Sequence, residues 1–122
     1  MAHVDQLTIE LPWPPSVNHY WRYVPGQRPK RSRGARDYIL IVRKTLAYLD
    51  YPKFGCGRLS VTVDLYPPDR ARRDIDNLMK ALLDALQKAG AYKDDSQVDE
   101  LRIVREEMVV PGGAIVVGIR RI

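Results

Sequence analysis

Cysteine, histidine and long apolar runs are nearly missing from this chain: its 122 residues include one Cys and two His. The lone Cys56, set between Gly55 and Gly57, can make no intramolecular disulfide and has no thiolate companions for a metal cage, which fits a reducing, cytoplasmic setting. His3 and His19 are too few and too isolated for a zinc site. No apolar stretch approaches the roughly 18 residues that a membrane helix needs. The opening "MAHVDQ" has no basic region followed by an apolar one, so neither export nor membrane insertion is expected. A phosphate loop of the form G-x-x-x-x-G-K-[ST] is absent, as is a Ser-His-Asp arrangement, which sets aside P-loop nucleotide enzymes and triad hydrolases.

What is present suffices for one domain, 1–122, with one core. Hydrophobic residues make up 45% and charged residues 29%, enough to fill an interior and cover a soluble surface. A chain this short buries a limited fraction of its surface, so burial against a second copy would stabilise it. The net charge of +5 implies attraction to polyanions, and its arrangement sharpens the point. Six cations (Arg22, Arg28, Lys30, Arg31, Arg33, Arg36) occur between 22 and 36 without an acid, and Arg70, Arg72 and Arg73 form a second cluster.

Hydrophobic periodicity gives a coarse architecture. "QLTIELP" alternates Leu7, Ile9 and Leu11 with polar neighbours, predicting a strand over about 6–11. The next stretch, 12–34, has five prolines and two glycines and no periodicity, so it reads as an extended arm leading into a mobile basic loop at about 22–36. Ile39, Val42, Leu46 and Leu49 recur at helical spacing from Arg36 to Leu49. "RLSVTVDLYPP" sets Leu59, Val61, Val63 and Leu65 on one face of a strand stopped by two prolines. Leu78, Leu82, Ala85, Leu86 and Ala89 mark a helix over about 77–89, ended by Gly90. "QVDELRIVREEMVV" and "AIVVGIRRI" read as strands, with "PGG" at 111–113 as a hairpin turn between them. The order β-α-β-α-β-β predicts an α+β domain, a mixed sheet covered by two helices.

The chemistry concentrates in "RRDIDNLMK", 72–80, where Asp74 and Asp76 stand one residue apart behind arginines. Capping of the following helix explains one aspartate, since a carboxylate favours the positive end of the helix dipole. The second needs another reason. Two carboxylates that converge ahead of a helix repel unless a cation lies between them, and magnesium takes such oxygen ligands together with phosphate. "KDDS", 93–96, supplies Asp94 and Asp95 at the far end of the same helix. They meet the first pair only if the chain returns along the sheet or if the meeting is between subunits. Lys80, four residues from both Asp76 and Asp84, is either part of a solvated salt-bridge ladder or, beside a metal, a group that steadies a scissile phosphate. Trp13 and Trp21 in the arm either pack it onto the domain or stack on exposed bases.

Three stretches, "PWPPSVNHYWR", "PDRARRDIDNLMKALLDAL" and "KAGAYKDDSQV", resemble the RusA family of Holliday junction resolvases, in the right order and through nearly the whole chain. The resemblance implies a homodimer that binds a four-way DNA junction and nicks two opposed strands symmetrically in recombination and repair, using Mg2+ with Mn2+ as a substitute. It implies Asp74, Asp76 and Asp95 as metal-binding catalytic residues and Lys80 as a catalytic lysine. Arg73 matches a DNA-contacting position, with Arg72, Lys30, Arg31 and Arg33 as further DNA-binding candidates and Asn77 and Asp94 in support. Two other readings stay open: a non-catalytic protein that clamps branched DNA, and a less selective metal-dependent nuclease.

Overall fold

The computed structural model describes residues 2–122. Its main body is a mixed sheet of four strands, β2 (Gln6–Pro12), β6 (Leu59–Tyr66), β7 (Val98–Arg105) and β8 (Ala114–Arg121), in the order β2-β8-β6-β7. Helices α1 (Arg33–Tyr48) and α2 (Met79–Lys88) provide the helical layer. The remaining strands are two-residue pairs: β1 (Ala2–His3) with β5 (Pro52–Lys53), and β3 (Trp21–Arg22) with β4 (Lys30–Arg31). Counting the long elements alone, the predicted order β-α-β-α-β-β and the α+β class hold.

Alternation builds the core. Ile9 and Leu11 of β2, Leu59, Val61, Val63 and Leu65 of β6, and Ile115, Val117 and Ile119 of β8 are buried on one sheet face. Against them lie Tyr38, Val42 and Leu46 of α1 and Leu82, Ala85 and Leu86 of α2, each large apolar side chain contributing about 1.5–3 kcal/mol by leaving water. Helix α1 starts three residues before the periodicity suggests, because Ser32 caps it, its hydroxyl accepting from the Ala35 N–H at 3.2 Å.

Three expectations are corrected. The "PGG" segment is a turn, with the Gly113 N–H donating to the Val110 carbonyl, but it does not join hairpin partners. β8 inserts between β2 and β6 while β7 pairs in parallel with the other side of β6. The physical reason is composition: β8 alternates Ile115, Val117 and Ile119 and suits the interior, whereas β7, with Asp99, Glu100, Arg102 and Arg105, suits an edge. The predicted 77–89 helix divides into a 3₁₀ turn, Ile75–Leu78, followed by α2. The presumed irregular arm contains the β3–β4 ribbon, in which Trp21 pairs with Arg31 and Arg22 with Lys30.

The parallel β6–α2–β7 unit decides where the acidic residues go. Asp74 and Asp76 follow the C-terminal end of β6, whereas the register pairs Leu59, at the N-terminal end of β6, with Val98. Helix α2 therefore carries the chain back, and Asp95 emerges at the opposite end of a strand roughly 26 Å long at about 3.3 Å per residue.

Candidate active site

The loop after β6 is organised by Asp69. Its Oδ1 accepts the Ala71 N–H at 2.9 Å and the Arg73 Nη1 at 2.6 Å. These bonds, chiefly that from Arg73, hold the Asp69 carboxyl down at about 2. Arg105, at the end of β7, donates to the Arg73 carbonyl. The backbone is thereby held between two elements just before the paired aspartates.

Asp74 occupies the N-cap position of the 3₁₀ turn in extended conformation, yet its side chain makes no capping hydrogen bond. Asp76 lies in the first turn, and both are exposed. Neither carboxylate has a hydrogen bond or ion pair among the described residues, so capping does not explain the pair. They line a groove of about 450 Å³ together with Arg72, Arg73, Ile75 and Arg105. A second groove of about 540 Å³ shares Arg72, Arg73 and Asp74 and adds Trp13, Asn18 and Asn77. Trp13 is fixed by the turn before β8: a Cβ on Gly113, whose φ is +76°, would lie 2.9 Å from the Trp13 Cβ. Its packing role is therefore real, and it also walls the site.

Lys80 forms no ladder with Asp76 or Asp84. Its ammonium lies 5.8 Å from the ring centroids of both Tyr20 and Trp21, within cation–π range. Asp84, 5% exposed, turns to the arm instead. It accepts from Arg31 Nε at 2.7 Å and Nη2 at 3.1 Å, and from the phenol of the buried Tyr20. Burial pushes the Asp84 carboxyl upward; Lys88 opposes this and Asp95 adds to it. The Arg31 fork provides the compensating positive charge. Arg31 thus anchors the basic ribbon to α2, leaving Lys30 and Arg22 exposed on it. Arg33 is exposed and reaches Asp37 only at 3.9 Å.

At the other end of α2, Asp94 has a structural task. It caps the 3₁₀ turn Asp95–Gln97 in a capping box with Gln97, and the Ser96 N–H holds its carboxyl below the usual range. The Asp95 N–H donates to Gln87 Oε1 at 2.9 Å. Among the described residues no three His, Cys, Asp or Glu side chains gather into a group able to hold a metal ion. Within one chain Asp95 is not brought to Asp74 and Asp76.

The donor set still suits a hard divalent ion in part. Two carboxylates with no competing protein partner, open to solvent and facing cations that attract phosphate, match the way magnesium is held by one or two carboxylates plus substrate oxygens. Sequence reasoning missed Arg105 as part of this groove and the Tyr20–Arg31–Asp84 cluster. Arg105 lies in a charged edge strand with nothing to single it out, whereas a lone aspartate interrupting the leucines of α2 was a signal for the cluster.

A family model described as "Endodeoxyribonuclease RusA" matches residues 12–120. Among similar curated proteins, a crossover junction endodeoxyribonuclease of Enterobacteria phage HK97 is 38% identical over 112 residues, 92% of each chain. One of Escherichia coli strain K12 is 40% identical over 115 residues, and one of Shigella sonnei strain Ss046 is 40% identical over 115, each match covering 92% of both chains.

Proposed function

The chain belongs to the RusA family of endodeoxyribonucleases, and from this premise we propose that it resolves crossover (Holliday) junctions as a magnesium-dependent homodimer acting in the cytoplasm. The observation that carries the reading is the exposed pair Asp74 and Asp76, whose carboxylates have no partner among the described residues, in a groove walled by Arg72, Arg73 and Arg105. Asp74 and Asp76 would hold the ion, and Asp95 would join from the acidic turn of a second copy, since α2 carries it to the far end within one chain. A bound magnesium supplies Lewis acidity toward the phosphate and an acidified water near neutral pH, with manganese as a substitute.

The chain's own residues do the rest. Arg72 and Arg105 draw the DNA backbone to a centre whose carboxylates would otherwise repel it, through contacts that weaken as salt rises. Arg73, tied to Asp69 at 2.6 Å, orients the loop and keeps further N–H groups for a phosphate. Lys80, steadied against Tyr20 and Trp21, offers a positive charge to the developing negative charge of the scissile phosphate. Asn77 lines the adjoining groove and offers an uncharged contact beside Asp74. Two such centres, one per subunit, would cut two opposed strands, a step in recombination and repair.

The test is cleavage of an end-labelled synthetic four-way junction and a matched linear duplex, with Mg2+, with Mn2+ and with EDTA. Paired nicks on opposed strands of the junction alone, lost in EDTA, are expected. A retarded but intact junction would favour a clamp without catalysis, a reading to which the separation of Asp95 from Asp74 in one chain lends some support. Equal cutting of the linear duplex would instead indicate a less selective nuclease.

A further inference from the structure

Between the β3–β4 ribbon and α1 lies a groove of about 700 Å³, lined by Trp21, Arg22, Pro29, Lys30, Arg31, Arg36, Ile39 and Leu40. Four of these eight residues are cations and none is an acid. Arg31 is bound to Asp84. Arg22, Lys30 and Arg36 have no hydrogen bond or ion pair from their side chains among the described residues. The other lining residues are an indole, a proline and two aliphatic side chains.

We infer that this groove takes one unpaired nucleotide of the DNA substrate, its base against Trp21 and the aliphatic wall and its phosphates on Arg22, Lys30 and Arg36. Cations without acids select an anion, and the indole with Ile39 and Leu40 selects a flat apolar body beside that anion. A nucleotide joins both on one molecule, and base stacking on an aromatic tolerates any sequence. In a continuous duplex the bases are stacked and cannot enter; at a branch point they can be exposed. The groove would thus read branching without reading sequence.

The ribbon is built to hold such a ligand. Arg31 ties it to Asp84, and Tyr20 stands edge-on to Trp21 at 5.0 Å between centroids, 82° between planes. Trp21 also neighbours Lys80, so a base seated here would lie beside the lysine assigned to catalysis. The inference rests on the reading above that the substrate is branched DNA.

The experiment uses the full chain in EDTA, so that binding is observed without cleavage, with a four-way junction, a linear duplex and a single-stranded thymidine oligonucleotide. Trp21→Ala is expected to weaken junction binding about ten-fold or more while changing duplex binding less than about two-fold. Trp21→Phe, which keeps a ring, should restore most of the loss. In Trp13→Phe protein Trp21 is the only indole, and its fluorescence should be quenched by the oligonucleotide but not by the duplex. Unchanged junction binding by Trp21→Ala, or no quench, overturns the inference. A quench that depends on protein concentration without DNA assigns the groove to a second copy and also overturns it. If wild type shows no preference for the junction, the branched-DNA reading fails, while the quench still decides the groove.

Discussion

Helix α2 and its approach carry carboxylates in two very different situations. Asp84, in the middle of the helix, is buried and satisfied by Arg31 and Tyr20; the carboxylates of Asp74 and Asp76, just before it, are exposed and have no hydrogen bond or ion pair among the described residues. Burying an ion is costly unless paired, so Asp84 can persist only as part of a structure that fixes the arm. The exposed pair carries no such obligation, and two carboxylates that line one groove are the oxygen ligands that a hard divalent cation takes. One region spends its negative charge on architecture, and the other leaves it available for chemistry.

The sharpest way to break this contrast is to neutralise one member of each region. Asp76→Asn should reduce junction cleavage at least about a hundred-fold, yet shift stability by no more than about 0.5 kcal/mol, as for an exposed position without partners. Strand-resolved cleavage and thermal unfolding on the same preparation test both halves, and near-normal cleavage would remove Asp76 from the mechanism. Asp84→Ala should do the reverse in kind, costing about 2–3 kcal/mol of stability as Arg31 loses its fork. Arg31 retains 30% exposure of its side chain, which keeps the cost below that of a wholly buried pair. A melting temperature within a degree or two of wild type would show that the cluster does not hold the arm.

Much of the scaffold was legible in the chain because its period is local. Leu59, Val61, Val63 and Leu65 announce their strand, and the leucines of α2 announce their helix. What was hidden depends on partners distant in sequence. The order β2-β8-β6-β7 could not be read from "PGG", because a turn says where the chain bends and not which edge it then joins. The β3–β4 ribbon has two residues per strand, too few to show alternation. Asp84 bonds to groups 53 and 64 positions away, so local spacing suggested Lys80 as its neighbour instead. For the site, Asp74 and Asp76 stood out from their spacing, but the separation of Asp95 follows from the parallel register of β6 and β7.

A smaller substitution apportions the buried cluster. Tyr20→Phe removes the phenol donor while keeping the ring against Trp21, and should cost about 1 kcal/mol. Combined with Asp84→Ala, the two changes should be less than additive by about the value of that hydrogen bond, since the second removes what the first would have bonded. Urea unfolding of the four proteins in this cycle measures it. Strict additivity would mean that Arg31 alone anchors the ribbon and that the phenol is a bystander.

The smallest effect concerns the loop that leads to the exposed pair, where electrostatics act without burial. Arg73 and the Ala71 N–H bond the ionised form of Asp69, so its carboxyl should titrate at about 2, well below the ordinary value of about 3.9. Because the folded value is depressed, the stabilising contribution is present above the unfolded pKa and fades as pH falls from about 4 toward about 2. Solvent exposure screens it, so no large change in unfolding is expected. Carboxyl-carbon NMR should locate the titration directly, and Arg73→Ala should move it upward. At the pH where DNA is cut, Asp69 therefore stays charged and holds Arg73. On the proposed role of Arg73, a phosphate would either share that guanidinium through its remaining N–H groups or displace the carboxylate. An Asp69→Asn variant that binds junction more tightly at low salt would indicate displacement, and unchanged binding would indicate sharing.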